Sequence, residues 1–244
     1  MTLVAILSGA GISTDSGIPD YRGPNGLWRR DPEAEKLVTY DYYMADPDIR
    51  RRAWQMRRDS PAWRARPNAA HHAVAELEKR PGFAVRVVTQ NVDGLHQLAG
   101  MPDRKVLELH GTSRSVVCTS CHLRSSMEDA LARVEAGEED PSCLACGGIL
   151  KSATVMFGQR LDSQVLSEAM AIAKASEIFV AVGTSLQVQP AASLAGIAAE
   201  HGARLSIVNA DPTPYDELAD ELVREPIGTA LPKLLAALRG PSGG

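Results

Sequence analysis

The four cysteines of this 244-residue chain are not scattered. Cys118 and Cys121 form one Cys-x-x-Cys pair, Cys143 and Cys146 form a second, and none is left over. Two such knuckles supply the four thiolates of a tetrahedral zinc site, so residues 112–150 must fold back on themselves to bring the pairs together. Four thiolates fill the coordination sphere and leave no position for water. The expected metal is one structural zinc, whose binding contributes to folding and not to chemistry; four free thiols are the alternative. His122, directly after Cys121, reads as a surface residue. Paired cysteines hold zinc more often than disulfides in a reducing compartment. Met1-Thr2 carries no basic leader, the run Leu3–Leu7 is too short for a signal, and no stretch approaches the ~20 apolar residues of a bilayer span. A cytoplasmic protein with no membrane association is therefore expected.

The rest of the chain reads differently. The segment Thr2–Ser8 is apolar and ends abruptly in Gly9-Ala10-Gly11, a buried strand running into a tight glycine turn. Similar short runs, rich in β-branched residues, lie at Val85–Thr89, Val106–Leu109, Thr154–Phe157, Glu177–Val182 and Leu205–Val208. They have the near-continuous hydrophobicity of parallel strands buried on both faces. Helical patterns at Asn68–Lys79, Asp162–Lys174, Pro190–His201 and Leu231–Leu238 fall between or after them. Strands alternating with helices predict a doubly wound, Rossmann-like α/β sheet. Residues 29–66 and 112–150 interrupt the alternation, which assigns the sheet to 1–28, 67–111 and 151–239. The two interruptions, a helical insertion and the zinc module, then form a smaller domain, and Gly240–Gly244 is expected to be a disordered tail.

Loops at the carboxyl ends of parallel strands are where such sheets bind ligands. The glycine turn at 9–11 suits close approach to a pyrophosphate, although Thr14 stands where a third glycine of the usual fingerprint would be. Gln90, Asn91 and Asp93 follow the strand at 85–89, His110 ends the next, Gly183-Thr184-Ser185 end another, and Asn209 ends the last. Side chains of these kinds suit phosphate, ribose and amide contacts, and a histidine at a strand end can act as a general base. Together they predict a dinucleotide site. His71, His72, His96 and His201 read as structural. Lys and Arg total 26 against 30 Asp and Glu, a net charge of −4, which argues against a nucleic-acid partner. Locally, however, Arg50, Arg51, Arg52, Arg57, Arg58, Arg64 and Arg66 surround Trp54 and Trp63 with one acid, Asp59. A solvated helix face is the plain reading; recognition of an anion is the sharper one.

Taken in order, Gly9–Ser13, Ser16–Arg22 with Leu27-Trp28, Thr89–His96, His110-Gly111, the four cysteines, Val155-x-Phe157-Gly158, Gly183-Thr184-Ser185-x-x-Val188-x-Pro190 and Val208–Asp211 resemble the sirtuin family along nearly the whole chain. The resemblance implies an NAD-dependent protein-lysine deacylase that releases nicotinamide and O-acyl-ADP-ribose. Carried over by motif, Gly9, Ala10, Gly11 and Thr14 would face the phosphates and nearby ribose, and Ser13, Ile18, Asn91 and Asp93 would line the nicotinamide pocket. Asp20, Tyr21 and Arg22 would belong to the loop over the cofactor, Gln90 would touch the nicotinamide ribose, and Gly183, Thr184, Ser185, Asn209 and Ile227 would hold the adenosine half. His110 matches the general base, and Phe157, Gly158 and Val188 match the segments that pair with the substrate peptide.

Three departures from the family pattern stand out. Tyr21 replaces a commoner Phe, and Gln159 stands where an acid is frequent. In the helical insertion, Trp54-x-x-Arg57 replaces the Tyr-x-x-Arg by which desuccinylating members grip an acyl carboxylate. The implied partners are acyl-lysine proteins. Mono-ADP-ribosyl transfer and non-catalytic NAD sensing are the alternative functions, and the sequence carries no reading of oligomeric state.

Overall fold

A computed structural model describes residues 1–20 and 33–239. Tyr21, Arg22 and the tail Gly240–Gly244 lie outside the described residues. Six strands, β1 (Thr2–Ser8), β2 (Phe83–Thr89), β3 (Val106–Glu108), β7 (Ile178–Val182), β8 (Arg204–Val208) and β9 (Glu221–Val223), form one parallel sheet in the order β3-β2-β1-β7-β8-β9. The order reverses at β1, flanked by β2 on one side and β7 on the other, with Leu7 opposite both Val88 and Ala181.

Alternate side chains of each strand go to opposite faces, so one run of apolar residues serves two cores. Val4, Ile6, Val85 and Val87 pack under α4 (Ala69–Lys79) and α9 (Ile227–Ala237), while Ala5, Leu7, Phe179 and Ala181 pack under α7 (Ser163–Ala175) and α8 (Ser193–Glu200). Caps account for where the helices begin. Asn68 accepts from the Ala70 and His71 amides at the start of α4, and Asp162 accepts from Gln164 and Val165 at the start of α7. Helix α9 begins upstream of the expected Leu231, because the amides of Thr229 and Ala230 both donate to the Pro226 carbonyl and set the first turn ahead of Pro232.

A three-stranded antiparallel sheet, β5-β4-β6, is built from β4 (Gly111–Cys118), β5 (Arg124–Ser126) and β6 (Leu150–Thr154). This corrects one expectation. The apolar run at 154–157 is not a strand of the parallel sheet; the strand lies earlier and pairs with β4, Leu150 opposite Cys118. Lys151 and Ser152 interrupt the apolar pattern there, and so the strand was hidden. A further helix, α6 (Met127–Glu135), precedes the second cysteine pair, capped by Ser126. From the helical insertion come α1 (Ala34–Leu37), α2 (Tyr40–Ala45) and α3 (Pro47–Arg58); α5 is the short turn Leu95–Leu98. Ile49, Arg50, Ala53 and Trp54 form the buried face of α3. Trp54 packs with Val116, Met127, Leu131 and Cys143, joining the insertion to the zinc module. No helix among the described residues is long and apolar enough to cross a membrane.

Candidate functional site

In an open parallel sheet the crevice lies at the carboxyl edge where the strand order reverses, here between β1 and β7. The chain leaves β1 into Gly9 and leaves β7 into Gly183, and the two loops touch: Gly9 N donates to the Val182 carbonyl at 3.0 Å and Gly11 N to the Gly183 carbonyl at 2.9 Å. A Cβ on Gly11 would lie 2.8 Å from Gly183 Cα, and one on Gly9 would lie 2.7 Å from the Gly183 oxygen. Only glycine permits this approach, and Gly183 itself has φ +61°, in the left-handed region. The turn then becomes a short 3-10 helix, Ala10–Ser16, carrying Ser13 inward and Thr14 outward.

Next to this cradle, the loop after β2 folds over the same edge. Gln90 Nε2 donates to Thr184 Oγ1 at 2.9 Å, and Asn91 Nδ2 donates to the Gly9 carbonyl at 3.1 Å and to Ser13 Oγ at 3.2 Å. Ser13 Oγ donates to Asp93 Oδ2 at 2.8 Å, while the Leu95 amide holds Oδ1 at 2.9 Å. The Ile18 amide reaches back to the Ser13 carbonyl at 3.3 Å. Gly9, Gly11, Ser13, Ile18, Gln90, Asn91, Asp93, Gly183 and Thr184 are therefore one connected group, and Ala10 and Thr14 sit on its turn. A backbone cradle that any Cβ would fill, next to amide, hydroxyl and carboxylate groups, fits a dinucleotide with a neutral carboxamide at one end.

His110 follows β3. Its Nδ1 lies 2.9 Å from the Gln90 carbonyl, which can only accept, so Nδ1 carries the proton and Nε2 presents a lone pair. Burial lowers its pKa, against an opposing pull from that carbonyl, so the ring is neutral and ready to accept a proton near pH 7. On the adenosine side, Asn209 ends β8 half-buried, its Nδ2 donating to the Asp211 carbonyl, and Arg224 donates to the carbonyls of both residues. Ile227 opens α9, half-buried against the core. Ser185 is half-buried beyond Thr184, and Asp20 ends the described part of its loop.

The peptide-facing candidates divide. Phe157 has its amide bonded to the Val38 carbonyl and its own carbonyl to the Tyr40 amide, so both backbone groups are taken, and its ring is exposed. Gly158 is exposed with φ +87°, and Val188 is half-buried. Gln159 turns inward, its Oε1 accepting the Met156 amide at 3.0 Å.

The structure does not bring Trp54 to this edge. Its indole is wholly buried in the core between α3 and the zinc module, because the 3.6-residue period puts positions 50, 53, 54 and 57 on the packed face of α3. Arg57 lies on that face as well, its guanidinium 5.5 Å from the Tyr43 ring centre and 5.6 Å from that of Trp54. Among the described residues it has no carboxylate partner, and its Nη1, like Trp54 Nε1, is buried without a hydrogen bond. The neighbouring Lys151 ammonium donates to the Ser152 and Thr154 carbonyls, and burial together with the Arg57 charge lowers it to about 8.

The four cysteine sulfurs lie within 4.8 Å of one another, with Cys118 Sγ to Cys146 Sγ at 3.5 Å and Cys121 Sγ to Cys143 Sγ at 3.7 Å. A tetrahedron with Zn–S of about 2.3 Å has edges of about 3.8 Å, so the cluster fits one zinc ion. Amides of Cys121 and Ser120 point at Cys118 Sγ and pull that thiol down to about 6, which favours the thiolate a metal needs. Sequence reasoning missed Arg114, which donates to the Asp93 carbonyl at 3.2 Å, and Ser113, which donates to the Val92 carbonyl at 2.6 Å. Both brace the Asn91–Asp93 turn from β4, and no local motif marks them.

The model of the Sir2 family matches residues 9–190. NAD-dependent protein deacetylase 2 of Streptomyces coelicolor is 75% identical over 236 residues, covering 97% of this chain and 98% of its own. NAD-dependent protein deacetylase 1 of Pyrobaculum aerophilum is 45% identical over 237 residues, covering 96% and 89%. Among solved structures, a Sir2 protein with a p53 peptide and NAD+ superposes with a TM-score of 0.84 at 33% identity, and one bound to a propionylated peptide with 0.84 at 31%; each covers 96% of this chain and 92% of the other. With the glycine cradle, the Asn91–Asp93 turn, His110 and the cysteine cluster all inside or beside the matched segment, the chain belongs to the Sir2 family, the sirtuins.

Proposed function

We propose that this chain removes acyl groups from protein lysine side chains in an NAD-dependent reaction, leaving free lysine, nicotinamide and O-acyl-ADP-ribose. The observation that carries this reading is the place of His110, tied through Nδ1 to the carbonyl of the residue preceding Asn91, at the carboxyl edge of the sheet next to the β1–β7 crevice. When bound, NAD supplies a ribose carbon whose bond to a cationic nicotinamide breaks readily once a nucleophile stands beside it. The chain's own residues supply positioning, because an amide oxygen is a weak nucleophile and orientation must provide much of the rate. Gly9, Ala10, Gly11, Thr14, Gly183, Thr184 and Ser185 would cradle phosphates and ribose, Asn209 and Ile227 the adenosine, and Gln90 the nicotinamide ribose. Ser13, Ile18, Asn91 and Asp93 would hold the carboxamide, with Asp20, Tyr21 and Arg22 closing over it. His110 takes a proton at Nε2.

For the substrate, Gly158 and Val188 would pair with the peptide backbone, and Phe157 would offer its ring in place of its engaged main chain. The same reading divides the chain into a cofactor domain (1–28, 67–111, 151–239) and a small domain (29–66, 112–150). The pairing of β6 with β4 moves residues 151–154 to the latter. We place the protein in the cytoplasm, where reduced thiols remain available to zinc. Nucleic acid is not expected as a partner, since Arg50, Arg51 and Arg58 are engaged by acids.

Turnover of an acetyl-lysine peptide with and without NAD tests the assignment. Nicotinamide release should depend on the acyl peptide, and His110→Ala should keep NAD binding while abolishing turnover. Labelled protein without deacylation would favour ADP-ribosyl transfer, and NAD binding with no product would favour a sensor. A second reading concerns the acyl group. A guanidinium whose Nη1 is buried without a hydrogen bond, and which has no carboxylate partner among the described residues, calls for an anion, so Arg57 is proposed to favour acidic acyl chains such as succinyl, with Trp54 fixing its position. A succinyl preference lost in Arg57→Met would support this; acetyl preference unchanged by that substitution would refute it.

A further inference from the structure

Behind the Asn91–Asp93 turn runs a buried polar chain whose inner members have no place in the site described above. Ser8 and Thr89, at the ends of β1 and β2, are both buried, and Ser8 Oγ donates to Thr89 Oγ1 at 2.8 Å. Thr89 Oγ1 accepts the Asn91 amide at 3.1 Å. On the other side of Ser8, Nε2 of buried His96, on α5, lies 2.9 Å from Ser8 Oγ. With the serine proton directed to Thr89, Nε2 must supply the proton of this contact, so His96 is the Nε2–H tautomer and its Nδ1 is a bare acceptor. That Nδ1 is buried and has no partner among the described residues.

His71, on α4, stands edge-on to it with ring centres 5.1 Å apart. Its Nδ1 receives the Asn68 amide at 3.4 Å, which leaves Nε2–H as a second buried atom without a partner among the described residues. Asn68 also donates to the Ile12 carbonyl at 2.8 Å and to Ser16 Oγ at 3.0 Å, on either side of Ser13. Burial lowers both imidazoles, His71 to about 4 and His96 to about 3, so both are neutral where the protein works. Two unmet ring nitrogens in a sheet–helix interface are a cost that a leucine or methionine of similar volume would not carry. Filling space does not explain the pair.

We propose that His96, with His71 packed against it, is a positioning residue for the nicotinamide end of the site. Nε2–H of His96 fixes the Ser8 hydroxyl, Ser8 fixes the rotamer of Thr89, and Thr89 Oγ1 holds the amide from which the Asn91–Asp93 turn departs. The inference rests on the reading of Ser13, Asn91 and Asp93 as the nicotinamide pocket. It predicts an effect confined to that end, because the adenosine loops after β7 and β8 take no part in the chain.

The test compares His96→Leu, His96→Gln and His96→Asn. A glutamine amide can place its N–H near Nε2, whereas the shorter asparagine reaches only the Nδ1 position. Steady-state kinetics on an acyl-lysine peptide, nicotinamide inhibition and calorimetric binding of ADP-ribose are measured well below each variant's unfolding temperature. His96→Leu should weaken nicotinamide inhibition and lower kcat by about tenfold, the worth of one buried hydrogen bond, while ADP-ribose affinity stays within about twofold. His96→Gln should recover most of the loss and His96→Asn should not. If His96→Leu does not fold, the glutamine–asparagine contrast still decides. Equal behaviour of those two, unaltered nicotinamide inhibition, or a matching loss of ADP-ribose binding would overturn the proposal. A wild-type chain that cleaves no NAD would instead bring down the reading of the pocket itself.

Discussion

At the scale of single residues, the site is built from backbone proximity and from one imidazole whose tautomer is dictated. Gly11 and Gly183 meet backbone to backbone, so the Cβ of Gly11→Ala, 2.8 Å from Gly183 Cα, cannot be relieved by a side chain moving aside. That variant should lose NAD affinity by isothermal titration and cost about 1–3 kcal/mol in denaturant unfolding; wild-type affinity would show that the loops part more easily than their hydrogen bonds suggest. For His110, burial lowers the pKa below the ordinary 6.5, so the neutral base persists into mild acid. The acidic limb of kcat/KM should therefore fall below pH 6.5, and a limb above it would argue that another group is titrating. The glycines and His110 were legible in the sequence, because a glycine after an apolar run and a histidine at a strand end are local signals. Ser8, Thr89, His96 and Arg114 were not, since what they do depends on neighbours from other elements.

At the scale of elements, the arginine-rich helix α3 is where local reading fell short. As a string its arginines suggest a solvated face, but two of the acids that answer them, Glu139 and Asp140, come from the loop after α6. Arg50 Nε meets Asp140 at 2.8 Å and its Nη1 reaches the Tyr43 and Met44 carbonyls, while Arg51 pairs with Asp48 and approaches Glu139 at 4.0 Å. Through Glu139 and Asp140 this loop acts as a clasp between the insertion and the zinc module. The side chains of this pair are only 11% and 27% exposed, so Arg50→Met, which strands Asp140 and two carbonyls, should cost on the order of 1–3 kcal/mol. Arg58→Ala, breaking a surface pair with Asp59, should leave the urea midpoint almost unchanged. Equal losses in urea melts of the two variants would mean that the clasp contributes nothing special. The hidden strand β6 teaches the same lesson: Lys151 breaks its apolar pattern, yet the ammonium is absorbed by two carbonyls of its own segment.

At the scale of the whole molecule, stability has two distinct dependencies, on metal and on acid. The cysteine cluster holds β4, β6 and the second knuckle together, so a strong chelator, or serine at any one cysteine, should lower the melting temperature and remove activity together with zinc. A stable, zinc-free and active variant would show the metal to be dispensable. Acid acts through the sheet instead. His71 and His96 have folded pKa values of about 4 and about 3, both below the ordinary 6.5, because burial disfavours the charged ring. Asp93 pulls His71 upward and His72 pushes it downward, while His96 feels His71 alone, so no nearby carboxylate fully offsets the burial. Below pH 6.5 the unfolded chain binds protons that the native chain refuses, and stability must fall as pH drops from 6.5 towards 4. At about 1.4 kcal/mol per pH unit for each ring, the two together withdraw roughly 4 kcal/mol by pH 5. Replacing both rings by neutral residues of similar volume should flatten the dependence of stability on pH between 7 and 5, measured by urea unfolding at each pH. A double variant that keeps the wild-type slope would place the acid sensitivity elsewhere in the molecule.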